Sequence, residues 1–463
     1  MEIDNKRAGL DVTYSLPPCD HVPEPYDGPD RDEVLALRQQ YVSPGLLTYY
    51  REPLLVVEGH MQYVFDERGR RYLDAFAGIV TISVGHCHPA VANKVRAQVG
   101  RLQHTTTIYL HPAIGQFGKR LAEKMPAGLD KTYFTNSGSE ANELAILSAR
   151  EYTGNTDVVA LRNGYHGGTS VPMGLTAHGT WKFKSNRQVG IHHTHAGYCY
   201  RCPLGLEYPS CDVRCARDIE PLIAYETPGE IACFIGEPIQ GVGGAVTPPP
   251  EFFRIVYDIV RQHGGLCIAD EVQGGFGRTG DHYWSFQHWD VVPDIVVMAK
   301  GIGNGVPLAA VTTRTEIAQS MTNRVHLNTF GGNPVSMVQG LATLEVIDEE
   351  GLQENAKRVG HHLKERILAL QEEHPLIGDV RGLGLMLGVE LVQDRQSKQP
   401  AAAEAAELLE LAKARGLLLG KGGLAGNTLR IKPPLCITLD DADFMADCLD
   451  ETLGIVEAGH RSL

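Results

Sequence analysis

The chain has 463 residues, with 43% hydrophobic and 21% charged residues and a formal net charge of −14 at pH 7. This composition is typical of a soluble globular protein, and the length predicts two structural units. The excess of acidic residues argues against a general nucleic-acid binder. No apolar run is long enough to span a bilayer, so a membrane protein is not expected.

The two ends of the chain bear on where the protein acts. Residues 1–6 have no apolar signal core, and their acids are wrong for a transit peptide. Residues 461–463 (RSL) only approximate a peroxisomal ending. We therefore expect a cytoplasmic protein.

The first part of the chain predicts an arm followed by a small sheet. Residues 1–50 are proline-rich and irregular, and their apolar side chains favour an arm that lies over another surface. Residues 54–74 alternate in short runs around turn signals, which predicts a β-meander. Amphipathic helices are expected over residues 90–102 and 112–124.

A strand predicted at residues 131–135 runs into a turn of small residues (NSGSEANE) that opens a helix. The N–H groups and the dipole at such a helix start form an anion site suited to phosphate, here at Ser137, Gly138 and Ser139. The serines could also simply cap the helix, and a capped terminus still has free N–H groups.

Alternating strands and helices over residues 131–314 predict an α/β sheet. Tyr165 lies among glycines after the predicted strand 157–161. An aromatic residue in this place either stacks on a flat ligand ring or fills a gap in a loop.

Two short apolar runs, residues 266–269 and 294–299, each end in one charged residue, Asp270 and Lys300 respectively. Such runs are typical of buried parallel strands, and open α/β sheets bind ligands at the carboxyl ends of their strands. A lone lysine there is more often a solvated strand end. Residues 275–280 (GFGRTG) match the dinucleotide fingerprint, but they lead into a poor helix start, so an NAD-dependent oxidoreductase is not favoured.

Four cysteines cluster between the predicted sheet strands: Cys199, Cys202, Cys211 and Cys215. Four thiolates could bind structural zinc, and His192, His193 and His195 lie just upstream. However, the second pair is CxxxC, so reduced cysteines or a local disulfide are the favoured interpretations. A catalytically idle scaffold held by a metal at this cluster is the alternative to an enzyme.

The C-terminal part repeats a helix–strand pattern, which predicts a second domain. The predicted elements are a strand at 309–313, helices at 334–349 and 351–373, a strand at 384–392, a helix at 401–415, the segment 428–434 and a last helix from about residue 440.

A phosphate turn, an aromatic for a ring face, a carboxylate and an amine together match one ligand, pyridoxal phosphate. This cofactor needs a lysine that forms a Schiff base and an acid that pairs with its pyridinium nitrogen. Asp270 at a buried strand end can keep a proton on that nitrogen. Lys300, once free of the cofactor, is then a general base and acid.

The ordered motifs carry a family resemblance. Together they resemble the class III aminotransferases, which are fold-type I enzymes that use pyridoxal phosphate, and most closely the type 2 alanine–glyoxylate branch. The motifs are NSGSEANE, YHGG, EPIQGVGG, CIADEVQ, GFGRTG, MAKGIGNG, NTFGGNP, GDVRGLGLMLGVEL and LRIKPPL.

The resemblance implies an α/β fold in which a large domain has a mostly parallel seven-stranded sheet and a small α+β domain comes from both chain ends. We expect the arm and part of the small domain at 1–80, the large cofactor domain at 81–335 and the rest of the small domain at 336–463. It also implies a homodimer, or a tetramer, with shared active sites.

The resemblance assigns roles residue by residue, and it assigns no metal to the site. Lys300 matches the Schiff-base lysine and Asp270 its pyridinium partner. The remaining cofactor contacts are Ser137, Gly138 and Ser139 at the phosphate, Tyr165 and Val272 on the two ring faces, His166 beside Tyr165, Gln273 near the phenolic oxygen and Thr329 at the phosphate of the neighbouring subunit's cofactor.

The resemblance assigns fewer residues to the binding of the substrate. Arg430 matches the arginine that binds the substrate α-carboxylate, and Glu237 the acid that pairs with this arginine in many members. We also expect Ile79, Val80 and Tyr109 among the pocket walls.

The expected reaction moves an amino group from alanine, or from an ω- or β-amino acid, to glyoxylate or pyruvate in a ping-pong cycle. A 4-aminobutyrate- or ornithine-type enzyme that uses 2-oxoglutarate and a same-fold racemase are the alternatives. Gly274 departs from the family pattern, which often has Thr or Ser at this position near the substrate side.

Overall fold

The computed structural model describes residues 15–186 and 188–460. Residues 1–6 and 461–463, which entered the prediction of location, lie outside this range. No helix within the described ranges has the length and apolar character needed to cross a membrane. The strands are β1 (Val56–His60), β2 (Tyr63–Asp66), β3 (Arg71–Asp74), β4 (Leu129–Thr135), β5 (Val158–Leu161), β6 (Ile191–Thr194), β7 (Cys233–Gly236), β8 (Leu266–Asp270), β9 (Ile295–Met298), β10 (Ala309–Arg314), β11 (Ile377–Leu383), β12 (Met386–Leu391), β13 (Leu417–Leu418), β14 (Gly420–Gly422) and β15 (Thr428–Ile431).

The helices match most of the predicted segments, and the bounds of the predicted helices 112–124 and 334–349 agree with the structure. The helices are α1 (Arg31–Tyr41), α2 (Ala77–Val80), α3 (Pro89–Val99), α4 (Pro112–Lys124), α5 (Gly138–Thr153), α6 (Ser170–Leu175), α7 (Arg214–Arg217), α8 (Ile219–Glu226), α9 (Phe252–Gln262), α10 (Thr315–Ser320), α11 (Pro334–Glu349), α12 (Leu352–Glu373), α13 (Ala402–Ala414) and α14 (Leu439–His460).

The largest sheet has seven strands in the order β4-β10-β9-β8-β7-β5-β6. Strand β10 is antiparallel to both of its neighbours, and the other neighbouring strands run parallel. Successive residues of a strand face opposite sides of the sheet. Ile295 and Val297 therefore pack in the cluster around α5, whereas Val296 and Met298 pack in the cluster that contains α9. This buried sheet confirms the predicted fold class.

Two smaller sheets have four strands each, and one of them combines distant parts of the chain. Strand β13 pairs in parallel with β3, so residues near position 418 complete the sheet that the predicted meander begins. The other sheet has the order β11-β12-β15-β14. A strand from the N-terminal part of the chain and one from its C-terminal part thus belong to the same small sheet.

The structure differs from the sequence-based expectation in the arm. Residues 31–41 form helix α1, whereas the whole segment 1–50 was expected to be irregular. Asp30 caps this helix by accepting the N–H of Glu33 at 2.9 Å. Its apolar residues Val34, Leu37 and Tyr41 have helical spacing, but none is buried, and the prolines on both sides of the helix favoured an irregular segment. The strands β6, β13 and β14, of four, two and three residues, were missed because such short runs contain too few residues to show the alternation that predicts a strand.

Candidate active site

Asp270 and Lys300 follow two neighbouring parallel strands. Asp270 is the last residue of β8 and is paired in register with Val297 of β9. Lys300 comes two residues after the end of β9 and opens a 3₁₀ turn, with a φ of +52°. A positive φ strains a residue other than glycine, and such strain is concentrated at functional sites. Both predicted catalytic residues thus lie at the carboxyl edge of the sheet.

Three donors hold the buried carboxylate of Asp270. Oδ2 lies 2.7 Å from Nδ1 of His166 and accepts Nδ2 of Asn142 at 3.0 Å, and Oδ1 accepts the N–H of Val272 at 3.2 Å. Burial lowers the pKa of His166, but the hydrogen bond to Asp270 and its charge outweigh burial and raise the pKa above its usual value. His166 and Asn142 therefore fix the orientation of the Asp270 carboxylate at the cavity wall.

The turn between β4 and α5 has the features of an anion site. Ser137 caps the helix by accepting the N–H of Glu140 at 3.2 Å. The N–H groups of Gly138 and Ser139 have no acceptor in the part of the chain that the structure describes. The hydroxyl of Ser139 accepts the N–H of Gly168 at 3.0 Å, which ties the loop after β5 to this turn. Free N–H groups at a helix start suit a phosphate.

Glu237, directly after β7, holds two backbone segments in place. Its carboxylate accepts the N–H of Tyr165 at 2.9 Å and the N–H of Gly241 at 2.8 Å. Burial and the charge of Asp270 raise the pKa of Glu237, against the opposing effect of His166 and the two N–H donors. The expected ion pair of Glu237 with Arg430 is not formed among the described residues.

Lys300 lies at the cavity wall with its side chain largely enclosed, and this burial lowers the pKa of its amine. The charges of Asp270 and Glu237 oppose the shift, and the charge of Arg430 adds to it. A lysine with a lowered pKa has more of its neutral form near neutral pH, which is the form that acts as a base or a nucleophile.

Arg430 in β15 is a buried cation with free donors. Its guanidinium lies over the ring of Phe76, with its central carbon 5.0 Å from the ring centroid. The Nε and Nη1 atoms are buried and have no hydrogen-bond partner within the described residues. A side chain on Gly422 would come within 2.8 Å of Arg430, so glycine leaves room for it. These free donors suit a carboxylate.

A cavity of about 170 Å³ collects most of the predicted cofactor residues. Ser137, Thr329 and Arg430 do not line it, nor do Ile79, Val80 and Tyr109. Its lining residues are Gly138, Ser139, Asn142, Tyr165, His166, Gly167, Glu237, Asp270, Val272, Gln273, Ala299 and Lys300.

The residues expected in the substrate pocket lie in two places. Ile79 and Val80 belong to α2, whose backbone is left-handed, and the hydroxyl of Ser83 ties the following segment to Gly301 at 2.7 Å. The side chain of Val80 is buried and that of Ile79 is half-exposed. Tyr109 is exposed, as is Thr329 in another loop, so their roles stay predictions.

Asn142 is a site residue to which the sequence analysis gave no role. It lies one helical turn after Gly138 in α5, on the face towards the cavity. Its Nδ2 group also donates to the carbonyl of His166 at 2.8 Å. The i, i+4 spacing from Gly138 is the sequence signal that could have identified it. Trp181 was missed as well; its ring packs edge-on against Tyr165, with centroids 5.2 Å apart.

The cysteine cluster is separate from this cavity. All ten cysteines of the chain have free thiols. Among the described residues, no group of three or more histidine, cysteine, aspartate or glutamate side chains is placed to hold a metal ion. Burial raises the pKa of the Cys215 thiol to about 12.

The donor set fits pyridoxal phosphate. Free N–H groups at the start of α5 suit its phosphate, Tyr165 can cover one face of a ring, and Asp270 suits a protonated ring nitrogen. Buried polar atoms without a partner in the described part of the chain, Oδ1 of Asn142 and Nε2 of His166, lie in the same place. The amine of Lys300 can bond to an aldehyde.

Comparison with known proteins identifies the family of this chain. The family model "Aminotransferase class-III" matches residues 48–453. The chain is 53% identical over 438 residues to "Alanine–glyoxylate aminotransferase 2 homolog 2, mitochondrial" of Arabidopsis thaliana, covering 95% of this chain and 91% of the relative. It is 43% identical over 467 positions to the Homo sapiens protein named "Alanine–glyoxylate aminotransferase 2, mitochondrial", with 96% and 91% covered.

Solved structures agree in fold. A Bacillus anthracis aminotransferase superposes with a TM-score of 0.85 at 32% identity, covering 92% of this chain and 98% of that one. An (S)-enantioselective omega-transaminase from Thermomicrobium roseum superposes with a TM-score of 0.86 at 34% identity, covering 93% and 100%.

The comparisons contradict the predicted cytoplasmic location. Both curated relatives are named mitochondrial. The prediction relied on the character of short terminal segments. Such addresses are read by receptors and are independent of the fold, so the globular part of the sequence could not correct the error.

The matched family spans most of the chain, including every strand of the seven-stranded sheet. Its members and the solved transaminases indicate pyridoxal phosphate as the cofactor. The protein is an enzyme that transfers an amino group between an amino acid and an oxo acid. From its site geometry and its relatives, this chain belongs to the class III aminotransferases.

Proposed function

We propose that this enzyme takes the amino group of alanine, or of an ω- or β-amino acid, and gives it to glyoxylate or pyruvate in a ping-pong cycle. The observation that carries the proposal is the buried guanidinium of Arg430, whose Nε and Nη1 atoms lack an acceptor in the described structure. A substrate carboxylate would supply that acceptor. The names of the Arabidopsis and human relatives support alanine and glyoxylate.

The proposed chemistry assigns proton transfer to Lys300. Bound pyridoxal phosphate supplies an electron sink for the carbanion left when a Cα–H bond breaks. Lys300, with its pKa lowered by burial, would take the proton from the substrate Cα. It would then deliver that proton to the former aldehyde carbon of the cofactor, so that the amino group stays with the cofactor. Asp270, whose carboxylate is oriented by His166 and Asn142, would pair with the ring nitrogen and stabilise a proton there.

The remaining roles concern binding. Gly138 and Ser139 bind the phosphate with their free N–H groups, and Ser137 fixes the turn as its cap. Tyr165 and Val272 cover the two ring faces. Glu237 positions the backbone of Tyr165 by accepting its N–H. This role does not require the expected ion pair between Glu237 and Arg430.

We also propose the domain division 1–80, 81–335 and 336–463, with the first and last segments forming one small domain. The pairing of β3 with β13 supports it. We also expect two copies of the protein to form a homodimer with shared active sites. Two neighbouring loops support this: the ring of His104 lies 5.4 Å from that of Phe330, and both loops carry exposed apolar residues. These residues are Ile108, Tyr109, Leu110, Val325, Leu327 and Phe330.

Exposed apolar residues grouped on neighbouring loops are typical of an interaction site. In a dimer it would be buried, and Thr329 from one subunit could then reach the phosphate of the other. We expect Leu110→Asp to shift the protein from dimer to monomer in light scattering coupled to gel filtration. Tyr225→Asp, on the exposed surface of α8, is the control. A wild-type monomer at micromolar concentration would contradict the proposed dimer.

The reaction is tested with the purified full-length chain. We expect the wild type to take up pyridoxal phosphate with an absorbance band near the visible edge that borohydride bleaches, and Lys300→Ala to lose that band. Alanine, β-alanine, 3-aminoisobutyrate, 4-aminobutyrate and ornithine are then tested against glyoxylate, pyruvate and 2-oxoglutarate. A strong preference for 2-oxoglutarate would contradict the proposed acceptors. Loss of alanine's optical activity without an acceptor would indicate a racemase instead.

A further inference from the structure

Lys432 is a buried lysine that the proposed roles do not use. It directly follows β15, two residues after Arg430, and its side chain has no exposed surface. Within the described residues, no carboxylate pairs with it. Its Nζ donates to the carbonyl oxygen of Gly241 at 3.2 Å and to Oε1 of Gln273 at 3.0 Å. A buried ammonium without an acid partner weakens folding, so packing alone does not account for this residue.

The two contacts of Lys432 do not depend on its charge. Burial lowers the pKa of Lys432 well below its usual value, and the charge of Arg430 adds to this, against the opposing charge of Glu237; Lys300 and Arg278 lower it further. Both contacted atoms are carbonyl oxygens, which only accept hydrogen bonds. A neutral amine keeps two N–H bonds and can donate to both, as an ammonium does.

The contact with Lys432 decides which way the Gln273 amide points. An amide has one accepting oxygen and one donating nitrogen, and in the structure Nζ of Lys432 donates to the oxygen; an ammonium has no lone pair with which to accept from the nitrogen. Gln273 lines the cofactor cavity with Asp270 and Lys300. Since Oε1 is turned to Lys432, the Nε2 group is the part of the amide left free to face a ligand.

The Gly241 backbone supports the same orientation. A side chain on Gly241 would lie 2.2 Å from Oε1 and 2.4 Å from Nε2 of Gln273, so the amide lies flat against this glycine. The N–H of Gly241 in turn donates to Glu237 at 2.8 Å. The carbonyl that receives Lys432 is therefore fixed by a buried carboxylate at the cavity wall.

We propose that Lys432 is a positioning residue that holds the Gln273 amide with its Nε2 group towards the cofactor cavity. The inference rests on the proposed function and deepens it, because a donor at this place suits an anionic oxygen, such as the phenolic oxygen that the family resemblance places near Gln273. Without Lys432 the amide can turn over and present Oε1, which repels such an oxygen.

The experiment is a double-mutant cycle on the full-length chain. The apparent dissociation constant of pyridoxal phosphate is measured for wild type, Lys432→Met, Gln273→Ala and the double variant. A second readout is the pH midpoint of the absorbance of the bound cofactor. Lys364→Met is the matched control, since this partly buried lysine also donates to a backbone carbonyl, that of Gly382 at 2.9 Å, outside the cavity.

We expect Lys432→Met to weaken cofactor binding roughly tenfold, the effect of one hydrogen bond to a charged group, and to shift the pH midpoint. In the Gln273→Ala background the same substitution should have no further effect, because no amide remains to be oriented. Lys364→Met should change neither quantity.

The inference is overturned if Lys432→Met weakens binding equally in both backgrounds, or if it changes neither the affinity nor the midpoint. If Lys432→Met does not fold, Gln273→Glu tests the same point, since it keeps an oxygen towards Lys432 and replaces only the Nε2 donor by oxygen. Wild-type affinity of Gln273→Glu would then overturn the inference. Failure of the proposed function is distinct: the wild type itself would take up no cofactor.

Discussion

The Nδ1 atom of His166 lies 2.7 Å from Oδ2 of Asp270, and both side chains are almost completely buried. An ionised carboxylate only accepts hydrogen bonds, so Nδ1 carries the proton in this contact. Asn142 donates to the same oxygen at 3.0 Å. A helix residue and a loop residue therefore orient one carboxylate from two directions, and both contacts can be tested separately from Asp270.

Asn142→Leu removes one donor from Asp270 with little change in volume. A hydrogen bond to a charged group is worth about 1.5–3 kcal/mol, so we expect the dissociation constant of pyridoxal phosphate to rise at least tenfold. Quenching of protein fluorescence on titration of the cofactor-free enzyme measures it. Ser148→Ala is the control on the same helix, since this hydroxyl donates within the helix to Leu144 at 2.8 Å. Equal effects of the two substitutions would contradict the role given to Asn142.

Gly167 and Gly168 provide a matched pair at the phosphate turn. A Cβ on Gly167 would lie 2.3 Å from Oγ of Ser139, and the φ of Gly167 is +132°. A Cβ on Gly168 meets no described atom within 4 Å. We expect Gly167→Ala to lower the melting temperature and to weaken phosphate binding, with a cost of about 1–3 kcal/mol from strain. Gly168→Ala should have little effect. Calorimetry of both variants with and without inorganic phosphate measures the melting temperatures and the stabilisation by phosphate, and equal losses in the two variants would contradict the prediction.

The stability of the cofactor-free enzyme should depend on pH through Lys300. Burial lowers the pKa of Lys300 below its usual 10.5, so below that pH the unfolded chain binds the proton more readily than the folded one. Lys300→Met removes this cost. The gain in stability should be largest near neutral pH and should shrink as the pH rises towards 10.5.

Denaturant titrations of wild type and Lys300→Met at several pH values measure this gain. Lys119→Met is the control, since the Lys119 side chain is 79% exposed. Its stability relative to wild type should stay nearly constant with pH. A gain for Lys300→Met that grows with pH would contradict the prediction.

Arg430→Lys should separate carboxylate recognition from catalysis. Lysine cannot reproduce the planar pair of N–H donors, so we expect KM for alanine to rise roughly 10-fold to 100-fold. An amine donor without a carboxylate should be used with nearly unchanged KM. Steady-state kinetics with both donors provide the measurement, and a parallel loss for both would assign Arg430 to folding rather than to the substrate.

The sequence alone was sufficient to predict the elements that carry the chemistry. Asp270 and Lys300 end apolar runs, and the NSGSEANE turn joins a strand to a helix, so each part is visible over a few residues. Helix α11 was predicted with the bounds that the structure has, because its apolar spacing and its initial proline are local features. Helix α1 was missed because it lies in a proline-rich segment that indicated irregular structure.

Only the tertiary structure decided what surrounds these residues. Asn142 and His166 are 128 and 104 positions from Asp270 in the sequence, and the sheet order brings the three together. The same holds for Lys432 and Gln273, which are 159 positions apart. The ligand could be predicted because each of its binding groups is a local motif. The hydrogen bonds that orient those groups could not, since they join distant segments whose contact depends on strand order and helix packing.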